Sequence, residues 1–178
     1  LGDTTAEINA LPLVDLGVNR TALSPIVDLK AASIHNCARF QDGGLRCWGY
    51  NGYGQLGTGD ASYRGDGPGI GAMGDALFDV NLGAGRTVVD FDTGYYHSCA
   101  ILDGGATSSK LKCWGYNGYG NLGLGDTVNR YGMAQMGNNL PYVDLGTVDG
   151  LGGGGSLVAT QIGVSLSDIT ILAPFLAV

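Results

Sequence analysis

The sequence holds little charge. Only 14% of its 178 residues are charged, and nine of them are Lys or Arg. Those nine are scattered singly or in loose pairs, from Arg20 and Lys30 to Lys110, Lys112 and Arg130. No basic cluster exists to track a phosphate backbone, which excludes nucleic acid as a partner. An anionic membrane surface is disfavoured on the same ground. Histidine is scarce as well, with only His35 and His97. No C-x-x-C spacing accompanies them, which argues against zinc. The chain lacks a nucleophile elbow, an H-E-x-x-H pair and a P-loop. No catalytic residue and no cofactor is therefore expected. No apolar run reaches the roughly 20 residues that a spanning helix needs. The first residue is Leu1 and no signal peptide is visible, which reads as a mature form or a fragment.

Glycine is plentiful. It supplies 33 residues, more than twice its usual share of roughly 7%. Such a chain uses glycine for turns and close backbone approach rather than for solvated helices. The apolar fraction of 44% is ordinary, so the chain can bury a core. The net charge is −7 and the pI is about 4.4.

Four cysteines form two pairs, each bracketing an Asp-Gly-Gly turn: "CARFQDGGLRC" from Cys37 to Cys47 and "CAILDGGATSSKLKC" from Cys99 to Cys113. An antiparallel hairpin folded at that turn brings its two cysteines together across the strands. The expected bridges are Cys37–Cys47 and Cys99–Cys113; four buried free thiols are the alternative. Bridges imply an oxidising compartment, hence an extracellular or cell-surface location. Asn19-Arg20-Thr21 is a candidate glycosylation sequon that fits this location.

Internal repetition organises the chain. "CWGYNGYGQLGTGD" at 47–60 returns as "CWGYNGYGNLGLGD" at 113–126, a spacing of 66 residues. "VDLG" at 14–17, "VNLG" at 80–83 and "VDLG" at 143–146 mark the unit ends. Gly52, Gly54 and Gly57 spell G-x-G-x-x-G, but glycine and proline follow instead of a helix, so a dinucleotide site is not expected. Within a unit the apolar period is two, as in "TVVDFDTG", which predicts strands. Four short strands per unit are expected, the last in "ALFDVNLG" and "LPYVDLG". The fold class is all-β: propeller-type four-stranded units, about two and a half blades, plus a C-terminal strand arm. Residues 1–27 read as the end of a preceding repeat, 28–83 and 84–146 as repeat units, and 147–156 as a Gly-rich linker. The arm is 157–178, where Val158, Thr160, Ile162, Val164 and Leu166 alternate with smaller or polar residues as in a half-buried strand.

"HSCAILDGG" followed by "LKCWGYNGYGNLGLGD" resembles the repeat of the regulator-of-chromosome-condensation family. That repeat runs G-x-x-H-[ST]-x-A-L, then W-G-x-N-x-x-G-Q-L-G-x-G-D. Gly94, His97, Ala100, Trp114, Asn117, Gly120 and Asp126 match it, as do His35, Ala38, Trp48, Asn51, Gly54 and Asp60 in the other unit. The resemblance implies a seven-bladed β-propeller, whereas fewer than three blades are present here. It also implies that Trp48 and Trp114 pack between blades and that Gly54 and Gly120 take tight or positive-φ backbone. Asn51 and Asn117 would then satisfy loop amides. Paired cysteines are a variant of secreted members. The family includes a nucleotide-exchange factor acting on chromatin, a setting that an acidic, cystine-bearing chain does not fit. It also includes a secreted inhibitor, so the fold can serve binding alone.

His35 and His97 occupy equivalent repeat positions, which points to structure. Asp90 with Asp92, or Asp60 with Asp66, could touch calcium, but no EF-hand-type loop surrounds them. Tyr50, Tyr53, Tyr95, Tyr96, Tyr116 and Tyr119 read as inter-blade packing, or as a contact or glycan platform. The expected function is a non-enzymatic extracellular structural protein whose repeats self-assemble by strand addition into a larger or filamentous assembly. Its partners are then copies of itself. The alternative is a fragment of a secreted recognition module that binds a protein or a glycan.

Overall fold

The computed structural model describes residues 11–18, 20, 24–67, 72–103 and 110–146. β-branched and aromatic residues at period two form six short strands there. They are β1 (Ile26–Ala31), β2 (His35–Phe40), β3 (Leu45–Gly49), β4 (Val88–Thr93), β5 (His97–Leu102) and β6 (Lys110–Gly115). The strands make two antiparallel sheets, ordered β1-β2-β3 and β4-β5-β6. Among the described residues the named elements are these strands and short single turns of 3₁₀ helix, with helical backbone at Val18 and Arg20 besides.

The sheets are copies in detail. Each carries a register shift near the start of its first strand, between Ile26 and Asp28 and between Val88 and Asp90. Each places its two cysteines directly opposite, Cys37 to Cys47 and Cys99 to Cys113, and in both hairpins they are bonded. The first hairpin turns at Gly43, where φ is +83°, a conformation glycine adopts without a side-chain clash.

A four-stranded unit was expected, but each sheet has three strands. The fourth segment pairs with β3 or β6 only at the two ends. Arg64 bridges to Gly49 and Arg130 to Gly115. Further along, Val80 N–H donates to Leu45 O at 2.7 Å, and Val143 N–H to Leu111 O at 2.9 Å. Between these points the first unit runs through a 3₁₀ turn at Gly74–Ala76. Gly74 there has a φ of +71°, which breaks the extended run that "ALFDVNLG" suggests.

The second sheet packs face to face on the first, with β4 lying against β1 and β2. One apolar cluster fills the interface, with Cys37, Leu45, Leu56, Val80 and Leu82 from one side and Phe91, Ala100, Leu102 and Trp114 from the other. A second cluster covers the far face of the first sheet, where Leu16 packs on Ala38, Phe40 and Leu77 beside Trp48 and Met73. Burying a large apolar side chain contributes about 1.5–3 kcal/mol, so these clusters hold the stack together. No helix among the described residues is long and apolar enough to cross a membrane.

Candidate interaction surface

The repeated loop that follows β3 and β6 is a self-contained build. Asn51 is fully buried. Its amide nitrogen donates to Asp60 O at 3.0 Å and Ser62 O at 2.9 Å, and its oxygen accepts Leu56 N–H at 2.9 Å. Asn117 repeats this, with Asp126 O at 2.9 Å, Val128 O at 3.2 Å and Leu122 N–H at 2.8 Å. The loop closes with an ion pair, Arg64 to Asp60 at 2.8 Å and Arg130 to Asp126 at 2.6 Å. Hydrogen bonding to Arg130 is the largest cause that holds the Asp126 carboxyl below its usual range. The Asp60 carboxyl is also lowered: burial opposes the shift, and Arg64 with the Ser62 N–H outweighs it. Gly54 and Gly120 have φ of +76° and +74°, as this tight loop requires. No helix follows Gly57 or Gly123, so the glycine pattern turns the chain and builds no phosphate cradle.

These loops meet at the sheet interface. Trp114 is fully buried, and its indole N–H donates to Gln55 O at 3.0 Å. Ser98 Oγ donates to the same carbonyl at 2.9 Å and lies 3.0 Å from His35 Nε2. With its proton committed to Gln55, Ser98 Oγ accepts from His35, which makes the ring a neutral Nε2–H tautomer. Burial, aided by nearby His97, pushes the His35 pKa down to about 4. Trp48, the counterpart of Trp114, is half-buried against Leu16 and its neighbours.

Two cations given no role in the sequence reading clamp each sheet to the preceding unit end. Arg46 donates to Leu16 O at 2.6 Å and Gly74 O at 3.3 Å. Lys112 donates to Leu82 O at 2.8 Å and Gly137 O at 2.7 Å. Leu16 and Leu82 are the same position of the repeated V-x-L-G motif. The available signal was a cation immediately before a cysteine in both units, Arg46-Cys47 and Lys112-Cys113. Arg64 and Arg130 had a comparable signal, the same four-residue offset after the repeated Asp.

Above the interface lies a tyrosine surface. Ring centroids run from Tyr63 to Tyr50 (4.8 Å), Tyr50 to Tyr96 (6.2 Å), Tyr96 to Tyr116 (6.2 Å) and Tyr116 to Tyr119 (5.8 Å). Tyr53 sits 4.8 Å from Tyr96 and 5.0 Å from Tyr116, and Tyr95 sits 4.4 Å from Tyr96. Seven of the nine tyrosines thus form one network across both sheets. It is not closed off, since Tyr63 is 43%, Tyr95 54% and Tyr119 87% exposed. Gly52 and Gly118 make room for it: a Cβ at either would collide with the phenol oxygen of Tyr50 or Tyr116. The Tyr50, Tyr96 and Tyr116 phenols are held above their ordinary pKa, by desolvation first and then by neighbouring tyrosines.

Among the described residues no group of three His, Cys, Asp or Glu side chains could hold a metal ion. Asn19 and the expected arm residues Val158, Thr160, Ile162, Val164 and Leu166 lie outside the described residues.

The chain matches the model of the regulator of chromosome condensation (RCC1) repeat over residues 33–55 and 88–121. Among solved structures it is similar to human WBSCR16, at 19% identity and a TM-score of 0.44 over 61% of this chain. It is also similar to yeast RCC1 (Prp20) in its complex with Kap60, at 17% identity and a TM-score of 0.38 over 60% of this chain. A third is Prp20p from Saccharomyces cerevisiae, described with its binding to Gsp1p and histones, at 15% identity and a TM-score of 0.41 over 60% of this chain. The matched part covers 23–24% of those chains, so this chain spans about a quarter of their length.

Proposed function

We propose that this protein, built of RCC1 repeats with a cystine in each, is a non-enzymatic extracellular protein-interaction module that binds through its tyrosine surface. One observation carries the reading. Six of the seven tyrosines occupy positions that the repeat pattern leaves unspecified: Tyr50 and Tyr116 after Trp-Gly, Tyr53 and Tyr119 after Asn-Gly, Tyr95 and Tyr96 before His. The fold is built by Trp, Asn, Gly and Asp, so its stability does not call for aromatic rings there. Large amphipathic rings of this kind supply rigid contact area at low entropic cost. Site-specific photo-crosslinking tests it. A crosslinker in place of Tyr119 captures another polypeptide from the native medium, and one in place of Gln41, at the opposite end of the sheet, does not. Equal capture at both positions would sink the reading.

A second reading, self-association, rests on the outer faces of the stack. Leu29 is 57% exposed while its counterpart Phe91 is 1% exposed, and Leu145 is 45% exposed while its counterpart Leu82 is 4% exposed. The faces that meet inside the molecule therefore recur at its two ends, the first only partly covered by the Leu16 cluster, which favours head-to-tail stacking of copies. Strand addition by residues 157–178 and growth into a filament are the further form of this reading. Light scattering across a concentration series tests it, with a chain lacking 157–178 and a Leu29→Asp variant. A strictly monomeric native chain overturns it.

A further inference from the structure

The two repeat loops are braced differently. In the second unit the side-chain oxygen of Asn129 accepts the Asn117 N–H at 2.8 Å. The corresponding residue of the first unit is Tyr63. It lies against the Tyr50 ring instead, with centroids 4.8 Å apart. A pair of phenols thus spans the first loop where a hydrogen bond pins the second.

This pair is arranged unlike its close neighbours. Tyr53 meets Tyr96 and Tyr116 at 65° between ring planes, and Tyr95 meets Tyr96 at 76°. Edge-on contacts of that kind aim the rim of one ring at the face of the other. Tyr50 and Tyr63 are tilted by only 37°. Their hydroxyls also meet: hydrogen bonding to Tyr63 adds to the desolvation and charge effects that raise the Tyr50 pKa. Two phenols whose oxygens touch bring together the ring carbons ortho to those oxygens. Phenoxyl radicals couple at those carbons.

The surroundings suit one-electron oxidation. Tyr63 is 43% exposed, so an oxidant reaches it directly. A radical formed at exposed Tyr119 reaches Tyr50 through Tyr116 and Tyr96, in steps of 5.8, 6.2 and 6.2 Å. No cysteine is free, so the chain holds no thiol to quench the radical.

We infer that Tyr50 and Tyr63 are a site of oxidative modification, where hydrogen peroxide and a haem peroxidase close a dityrosine bond that staples the first loop. Each phenol gives one electron to the peroxidase and its hydroxyl proton to water. The two radicals join ortho carbon to ortho carbon. The hydrogen on each joined carbon passes through water back to the phenol oxygen, which restores both hydroxyls. Two electrons and two protons leave the pair, and they reduce one peroxide to two waters. The modification is independent of what docks on the tyrosine surface.

Treatment of the full chain with hydrogen peroxide and a haem peroxidase tests it. The expected product fluoresces as dityrosine and still runs as a single chain on a denaturing gel. Its mass is lower by two hydrogens, and digestion gives one peptide pair joined through Tyr50 and Tyr63. It melts at a higher temperature, because the bond restricts the unfolded chain as a disulfide does. Tyr63→Phe, at an exposed ring, abolishes the fluorescence, and Tyr142→Phe, outside the network, leaves it unchanged. Peptide mapping of the unmutated chain needs no variant, so it decides the matter even where Tyr63→Phe misfolds. The same joined peptide is expected in chain recovered from its native source. No dityrosine, coupling only between chains, a joined peptide at another pair, or absence of the peptide from the native-source chain each overturns the proposal. None of these results bears on photo-crosslinking at position 119, which reports on docking alone.

Discussion

The indole N–H of Trp114 donates to the backbone carbonyl of Gln55, 59 residues earlier, in the loop that follows β3 of the other sheet. Ser98 donates to the same oxygen. One carbonyl therefore ties two strands of the second sheet to the loop of the first, and it belongs to the loop that carries Tyr53.

Trp114→Ala is expected to cost about 3–5 kcal/mol, because it opens a cavity in the interface and leaves the Gln55 carbonyl with one donor. Trp48→Ala removes a half-buried ring and costs clearly less. Urea denaturation of the two variants measures the difference. Equal losses would show that Trp48 is as covered in solution as Trp114.

Lys112→Met leaves the Leu82 carbonyl without its side-chain donor and the Gly137 carbonyl with only the long Leu140 N–H contact, at a cost of about 1–3 kcal/mol. Desolvation and the nearby Arg86 already push the Lys112 pKa down. Lys112→Arg keeps a charged donor and recovers much of the loss. A thermal melt in which Met is tolerated as well as Arg would contradict the clamp.

Acid weakens the sheet interface. The folded pKa of His35, about 4, lies below its ordinary value of 6.5. Between these values the unfolded chain binds the extra proton and the folded one does not. Stability is therefore full above pH 6.5 and falls as the pH drops towards 4, by on the order of 2–3 kcal/mol. His97, lowered by desolvation against the pull of Asp92, adds a contribution of the same sign. Melting temperatures from pH 7 to pH 4 should fall, with a shallower slope in His35→Gln. An unchanged slope in that variant would assign the acid limb elsewhere.

Removing either cystine by a double Cys→Ser change is expected to cost about 2–3 kcal/mol, since each closes a short loop. Cys37 and Cys47 are fully buried, so a thiol reagent reaches that pair only once the chain is both reduced and unfolded, whereas half-buried Cys99 needs reduction alone. Labelling of the untreated native protein would mean that the thiols are free.

Much of the fold was legible because it is local. The "TVVDFDTG" alternation marks β4, and the Asp-Gly-Gly turn between cysteines marks a hairpin whose two strands must face each other. The fourth strand was misread for a local reason as well. "ALFDVNLG" has strand composition, but the positive φ at Gly74 and the 3₁₀ turn after it leave Val80 to pair alone. The tyrosines were visible as a repeated oddity, yet packing and display could not be told apart. Their exposure depends on where the loop of one sheet lies relative to the other, and Tyr63 joins the network without any counterpart in the second unit.

Sequence alone determined the repeat, its hairpins, the glycine positions of its loops and the acidic charge balance, because each follows from residue type and spacing. The tertiary structure alone decided which tryptophan is sealed, which carbonyls Arg46 and Lys112 hold and that the tyrosines share one surface. Those outcomes depend on backbone atoms and side chains brought together from distant positions, and no local pattern encodes where such atoms meet.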